Sequence, residues 1–140
     1  MLVPPSGAAP TNSALRPADI LLRAADTRPV AVDVTVVHPL RPSTSLAARE
    51  PAYTAAAAEK AKETMYGTQC RTAGWSFKPC GFETTGAWGP KATSLCKRLA
   101  KALSMRLGDP ASATMTSVSI VVSTALAKGR GEMLVMCFPL

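Results

Sequence analysis

The sequence predicts a single α/β domain in which a small sheet packs against two or three helices. Three observations lead to this prediction. The segment Val30–Val37 is rich in β-branched residues, which favour strands. The alanine-rich segment 52–73 has high helix propensity, and leucines recur at four-residue spacing over 91–107. A length of 140 residues fits one domain of this kind.

The first part of the chain is predicted to contain a leader and a β-hairpin. Residues 1–16 are rich in proline, serine and alanine without periodicity, which predicts a disordered leader. A domain over 17–134 and a tail over 135–140 follow. The short apolar segments 18–22 and Val30–Val37 flank a polar turn, and this arrangement predicts a hairpin.

The middle of the chain is predicted to form a loop, a helix and a strand. Residues 38–51 contain three prolines, which indicates a loop. The helix over 52–73 is predicted to end at Gly74, because glycine is common just after the last helical residue. Residues 75–84 are predicted to form a strand that Pro79 interrupts, since proline lacks the N–H group of a central strand residue.

The last part of the chain is predicted to be helical. A tight turn over 86–90 leads into a helix over 91–107, with Pro90 as a first-turn residue. The segment 112–128 has the length and alanine content of a helix, but also a strand-like run of β-branched residues. Two glycines follow this segment closely, and they favour the helix.

The charge balance favours a polyanionic partner. The chain has 16 Lys and Arg against 9 Asp and Glu, for a formal charge of +7, and a positive surface attracts nucleic acid. No stretch reaches the roughly 20 apolar residues that a membrane-spanning helix needs. The N-terminal residues lack the charged start and apolar centre of a secretory signal. The sequence therefore predicts no membrane partner and a nuclear or cytoplasmic protein in a reducing compartment.

The four cysteines are predicted to be buried or half-buried free thiols. They are separated by 10, 16 and 41 positions, with no C-x-x-C pair and one histidine in the chain. Zinc sites usually contain closely spaced pairs of ligands, and disulfide frameworks are typical of secreted domains. No histidine or acid near Cys70 in the sequence points to nucleophilic chemistry.

Two aspartates make the predicted hairpin a candidate metal site. Asp33 lies between valines in the second strand, where an ionised carboxylate is costly to bury unless it is paired or bound to a cation. Asp19 lies 14 positions earlier, so the hairpin brings it toward Asp33. Mg²⁺ prefers oxygen ligands and typically takes one or two carboxylates. The residues alone leave a structural alternative open, in which Asp19 caps a turn and Asp33 pairs with a lysine or arginine.

The hairpin resembles the core of restriction-endonuclease-like, PD-(D/E)xK-type nucleases. The letters P-A-D at 17–19 are followed by 13 residues and then by D-V-T-V from Asp33. More narrowly, residues 16–107 resemble the restriction-like endonuclease domain of non-LTR retrotransposon reverse transcriptases. In that family a strand, a helix carrying lysine and tyrosine, a further strand and a glycine–tryptophan turn follow in this order. The matching segments are A-V-D-V-T-V at 31–36, E-K-A-K at 59–62 with Tyr66, and G-A-W-G at 86–89.

The resemblance implies a DNA endonuclease that depends on Mg²⁺ or Mn²⁺ and has a restriction-endonuclease-like core. Asp19 and Asp33 would hold the metal ion, and a lysine would polarise the attacking water or stabilise the phosphate. The usual position of that lysine, two residues after the second acid, holds Thr35. The resemblance therefore nominates Lys62 on the following helix, with Lys60 as substitute. These two lysines point about 200° apart around a helix, so only one of them can serve.

The resemblance also implies a fragment or remnant of a longer polyprotein that contains a reverse transcriptase region. Nucleases of this type normally carry a further acid on a helix before the hairpin. The sixteen residues before Pro17 are proline-rich and cannot form that helix, so activity is expected to be reduced or absent. One alternative is a noncatalytic nucleic-acid-binding or structural remnant of the same fold. Another is an unrelated alanine-rich protein whose match is accidental.

Further candidate residues lie outside the hairpin. Glu83, at a strand end beside a turn, is a candidate third metal ligand or a surface acid. Trp88 is a candidate for stacking on a base or for a hydrophobic plug at the turn. His38 is interpreted as a loop residue. The candidates for phosphate contacts, which a solvated helix face explains equally well, are Lys91, Lys97, Arg98 and Lys101.

Overall fold

The computed structural model describes residues 18–23, 27–39 and 50–137, with side chains described as far as Gly129. The predicted leader over 1–16 and most of the predicted loop therefore lie outside the described residues. Of the predicted tail, residues 135–137 end the last helix and the final three residues are not described.

Three strands form one mixed sheet in the order β1-β2-β3. They are β1 (Ile20–Leu22), β2 (Val30–Val37) and β3 (Ser76–Glu83). β1 and β2 run antiparallel, as the predicted hairpin requires, with Ile20 opposite Val32. β2 and β3 run parallel, and β2 is therefore the central strand.

The described residues also form three helices: α1 (Tyr53–Thr72), α2 (Pro90–Leu107) and α3 (Ala111–Cys137). α1 connects the parallel strands β2 and β3, and a connection of this kind needs a dozen or more residues. Pro90 is in the first turn of α2, and Gly108 ends that helix with φ of 76°, a conformation that glycine adopts without strain. The ambiguous last element is a helix, as predicted, but its predicted end is wrong. Gly129 and Gly131 lie inside α3, which continues to Cys137, because glycine inside a helix costs only about 1 kcal/mol.

The helices cover both faces of the sheet. On one face, Ala31 and Phe77 pack against Cys70 and Tyr66 of α1. Because successive side chains of a strand point to opposite faces, the neighbouring residues Val32, Cys80 and Phe82 belong to the other face. There they pack against Ala92 and Leu95 of α2 and against Val122 and Leu126 of α3. The result is a three-layer α/β domain with a small core on each side of the sheet.

Pro79 lies inside β3 without interrupting it, which corrects the predicted break. β3 is an edge strand of the described sheet. The N–H groups of every second residue, counted from Pro79, point away from β2. The N–H of Gly81 donates to Glu59 Oε1 at 3.0 Å, and that of Glu83 donates to the carbonyl of Ala87 at 2.8 Å. The missing N–H of Pro79 is therefore not one that the sheet needs.

The leucine repeat of α2 does not form its buried face, although the four-residue spacing indicated that it would. Leu99 is 45% exposed and Leu103 is 41% exposed, whereas Ala92 and Ala100 are buried. Leu95 still packs against the core, but the small side chains let the axis of α2 lie close to β3 and α3, and this turns Leu99 and Leu103 toward the rim of the interface.

The described cysteines are free thiols. Cys70 and Cys80 are buried and Cys96 is half-buried. Burial raises the pKa of the Cys80 thiol to about 12, with Cys96 and nearby carboxylates adding to the effect. Burial likewise raises the pKa of Cys70 and of Cys96. All three are therefore protonated at neutral pH and are poor nucleophiles. Cys137 lies beyond the described side chains.

None of the helices, over the part of each that the structure describes, combines the length and the apolar character that crossing a membrane requires.

Candidate active site

Asp33 is a buried acid on the central strand. Asp33 is 5% exposed. Because side chains alternate along β2, it lies on the face of the sheet that α1 covers. A carboxylate at such a position needs a compensating cation or hydrogen-bond donor. Lys62 of α1 supplies the cation, with Nζ 3.2 Å from Asp33 Oδ2, and the hydroxyl of Thr35 donates to the same oxygen at 3.3 Å.

Asp19 lies beside Asp33 at the open end of the hairpin. Ile20 is opposite Val32, so continuing the antiparallel register by one residue places Asp19 opposite Asp33. The N–H of Val34 donates to Asp19 Oδ2 at 2.8 Å, and the N–H of Asp19 donates to the carbonyl of Val32 at 2.9 Å. The carboxylate of Asp19 thus binds the peptide group that joins Asp33 to Val34, which brings the two acids together.

The donor set of these two aspartates fits a divalent cation with oxygen ligands. The hydrogen bonds described above use Oδ2 of each carboxylate. Across the described segments, Oδ1 of Asp19 and Oδ1 of Asp33 make no hydrogen bond. Two carboxylates with one uncommitted oxygen each are what Mg²⁺ typically takes from a protein, the remaining ligands being water and phosphate oxygens. No cluster of three or more His, Cys, Asp or Glu side chains suited to a metal occurs within the described ranges.

Of the two candidate lysines, the fold directs Lys62 to the aspartates. Its side chain is 32% exposed, and its Nζ lies 5.4 Å from the centre of the Tyr66 ring, one helical turn further along α1. The Tyr66 ring is held in turn by an edge-to-face contact with Phe77, with ring centres 6.1 Å apart. Lys60 is exposed, as its position on the opposite side of α1 requires.

Glu83, the candidate third ligand, is not brought to the aspartates. In the parallel register Glu83 is opposite Val37, four residues along β2 from Asp33, which corresponds to about 13 Å. The carboxylate is buried and accepts hydrogen bonds from the N–H groups of Thr54 at 3.0 Å and Ala55 at 3.3 Å. Glu83 therefore caps the N-terminus of α1, a structural role.

A second helix-capping carboxylate, which the sequence reasoning missed, lies at the start of α2. Glu59 is 2% exposed. Its oxygens accept hydrogen bonds from the N–H groups of Gly81 at 3.0 Å, Lys91 at 3.0 Å and Ala92 at 2.9 Å. Gly89, the residue before α2, supplies no side-chain cap of its own, and a Cβ atom there would collide with the Glu59 carboxylate. In the sequence Glu59 is one of several charged residues of an alanine-rich helix. The signal for its buried position is the pair of glycines that face it in the fold, Gly81 and Gly89.

Trp88 and His38 are committed to contacts within the fold. Trp88 is half-buried against the sheet, with its ring centre 5.6 Å from that of Phe82 in an edge-to-face contact. This packing is what the hydrophobic-plug alternative predicts for the turn after β3. His38 is exposed, and its Nδ1 lies 2.7 Å from the Thr84 hydroxyl.

α2 carries five basic residues, of which one is paired and four are exposed, including Arg106 in the last turn. Lys91 forms an ion pair with Glu63 of α1 at 2.8 Å. Lys97, Arg98 and Lys101 are exposed, and α2 carries no acidic residue. The cations therefore concentrate on one helix, which is the arrangement that backbone phosphates of nucleic acid attract.

Comparison with protein-family models finds no matching family, and comparisons with curated proteins and with solved structures find no match either.

Proposed function

We propose that this chain is a metal-dependent DNA endonuclease domain with a restriction-endonuclease-like core, derived from a retroelement. The observation that carries the proposal is the convergence of Asp19, Asp33 and Lys62. The two acids lie opposite each other on neighbouring strands, and the lysine reaches them from the next helix at 3.2 Å. The sequence resemblance names these same three residues. The acid-free basic helix α2 supports DNA as the partner.

In this proposal each residue has a distinct task in phosphodiester hydrolysis, which its position supports. Asp19 and Asp33 would hold a Mg²⁺ or Mn²⁺ ion through their carboxylate oxygens. When bound, such an ion supplies hydroxide at neutral pH and neutralises charge on the phosphate. Lys62 places an ammonium group beside the same carboxylate, where it can donate a hydrogen bond to the attacking water or to a phosphate oxygen. In the reaction the attacking water loses a proton as its oxygen bonds to phosphorus, one P–O ester bond breaks, and the departing oxygen takes up a proton, so that protons balance.

A second candidate function is noncatalytic binding of nucleic acid by a remnant of the same fold. Two observations favour it. The ion pair with Lys62 already compensates the buried charge of Asp33. Among the described residues Asp19 is the acid beside Asp33, and no group of three or more ligating side chains forms there. Restriction-like nucleases normally use a further acid, so a two-carboxylate site can retain the fold and the basic helix without cleavage.

Nicking of supercoiled plasmid DNA in Mg²⁺ or Mn²⁺ distinguishes the two functions. We expect metal-dependent nicking by the wild type, and at least about 100-fold slower nicking by Asp33→Asn. A metal ion supplies several kcal/mol of transition-state stabilisation, and each 1.36 kcal/mol changes the rate tenfold. The matched control is Asp109→Asn, because Asp109 is an exposed aspartate in the turn between α2 and α3.

The control variant is expected to nick DNA at the wild-type rate. Nicking that is equally fast in Asp33→Asn and in Asp109→Asn contradicts the proposed active site. DNA binding without nicking by the wild type, in either metal, supports the noncatalytic function instead.

A further inference from the structure

A cleft opens between the edge of the sheet and the first turns of α2, on the face opposite the aspartates. Its volume is about 170 Å³. Lys78 of β3 is opposite Val32, and the alternation of the strand places it on the α2 face, whereas Asp33 lies on the α1 face. The lining residues are Lys78, Pro90, Lys91, Ser94, Leu95 and Arg98.

Three cations and a hydroxyl converge on this cleft from two elements. Lys91 and Arg98 are seven residues apart on α2, which is two helical turns, so both lie on the same side of the helix. Ser94 lies between them. Lys78 faces them from the strand and is half-buried, and among the described residues neither Lys78 nor Arg98 forms an ion pair.

The acids near the cleft do not cancel its positive charge. Glu63 pairs with Lys91 at 2.8 Å and also lies 3.4 Å from Arg71. Glu59 lies at the start of α2, where its carboxylate takes the N–H groups of Lys91 and Ala92. The backbone N–H groups of that turn are therefore already committed, and an anion in the cleft would be bound by side chains. Lys78 and Arg98 are the two cations that remain for it.

We infer that this cleft binds a phosphate group of the nucleic-acid backbone. The inference deepens the proposed function, on which the choice of DNA as ligand rests. A phosphate accepts hydrogen bonds from lysine, arginine and serine together, and a guanidinium can bind it through two parallel bonds. The exposed Lys97 and Lys101 continue the basic surface along α2, which favours a chain of phosphates over one free phosphate. Because the cleft and Asp33 lie on opposite faces of the sheet, the cleft anchors the DNA away from the cleaved bond.

The test measures the salt dependence of binding to a fluorescent DNA duplex by anisotropy. The cleft variant is the double substitution Lys78→Gln with Arg98→Gln. The matched control is Lys60→Gln with Lys128→Gln, which removes the same charge from exposed helical positions outside the cleft and outside α2. Each lost phosphate contact lowers the slope of log K against log salt by about 1, so we expect a decrease of about 2 for the cleft variant. The control slope is expected to stay close to that of the wild type.

A second variant covers the case in which the double substitution impairs folding. Ser94→Asp places a negative charge in the cleft at an exposed position of α2, and we expect it to weaken DNA binding while circular dichroism stays unchanged. Equal slopes for the cleft and control variants, together with wild-type binding by Ser94→Asp, overturn the inference.

Two further readouts separate this inference from the proposed cleavage. Binding that depends on the cleft in a chain that does not nick DNA supports the inference while the endonuclease proposal fails. Nicking that is insensitive to the cleft substitutions overturns the inference alone. Titration with inorganic phosphate, followed by the NMR amide signal of Ser94, identifies the ligand. If inorganic phosphate shifts this signal while the cleft substitutions leave DNA binding unchanged, the assignment of a nucleic-acid phosphate is overturned.

Discussion

Replacing Glu59 with alanine is expected to remove a large part of the stability of the domain. The substitution leaves three backbone N–H groups, those of Gly81, Lys91 and Ala92, without their acceptor. An unsatisfied buried donor costs about 1–3 kcal/mol, so the combined loss is about 4 kcal/mol or more. A whole domain is stabilised by only about 5–15 kcal/mol. We expect urea denaturation, followed by circular dichroism, to show a midpoint far below that of the wild type.

Glu63→Ala is the matched control for this prediction, since Glu63 lies one turn further along the same helix. Its ion pairs with Lys91 and Arg71 join partly exposed side chains, and pairs of that kind contribute at most about 1 kcal/mol. Glu59→Gln keeps an oxygen for part of the cap and is expected to lie between the two. Equal midpoints for Glu59→Ala and Glu63→Ala would contradict the capping role.

Replacing Lys62 with methionine is expected to abolish nicking and to destabilise the protein at low metal concentration. Lys62 supplies the cation that compensates Asp33, and removing one partner of a buried pair leaves an uncompensated charge. Because Lys62 is 32% exposed, solvent screens part of the effect, and we expect a loss of about 1–3 kcal/mol. Added Mg²⁺ is expected to restore more stability to this variant than to the wild type, because the ion then compensates Asp33. Thermal unfolding with and without Mg²⁺ measures this difference.

Lys60→Met provides the control, since Lys60 is exposed two residues earlier on the same helix. It is expected to leave both nicking and unfolding unchanged. Combining Lys62→Met with Asp33→Asn removes both charges and is expected to regain the lost stability without regaining activity. Equal losses of nicking in Lys60→Met and Lys62→Met would remove Lys62 from the mechanism.

Local patterns in the sequence predict most of the elements of this fold. The valine-rich segment became β2, the alanine-rich segment became α1, and Pro90 and Gly108 mark the bounds of α2. Two features depend on tertiary packing and escaped prediction. Pro79 is compatible with β3 because that strand is at the edge of the sheet. Leu99 and Leu103 of α2 are exposed because Ala92 and Ala100 form the close contact with the rest of the domain.

The parts of the candidate site that depend on patterns within one strand or helix could be predicted from the sequence. The parts that depend on contacts between distant elements could not. The alternation of β2 made Asp33 conspicuous, and helical geometry separated Lys62 from Lys60. The roles of Glu59 and Glu83 depend on which helix N-terminus each meets, and no local pattern contains that information. Both acids are buried structural caps, so charge alone was a poor guide to function in this domain.

Paramagnetic broadening by Mn²⁺ shows directly whether the two aspartates hold one metal ion. The measurement follows backbone amide signals of the isotopically labelled protein as Mn²⁺ is added, with Mg²⁺ as a diamagnetic competitor. We predict that the signals of Asp19 and Val34 broaden first, that Mg²⁺ reverses the broadening, and that Asp33→Asn abolishes it. Broadening that begins elsewhere in the domain, or that persists unchanged in Asp33→Asn, would contradict a metal site at this hairpin.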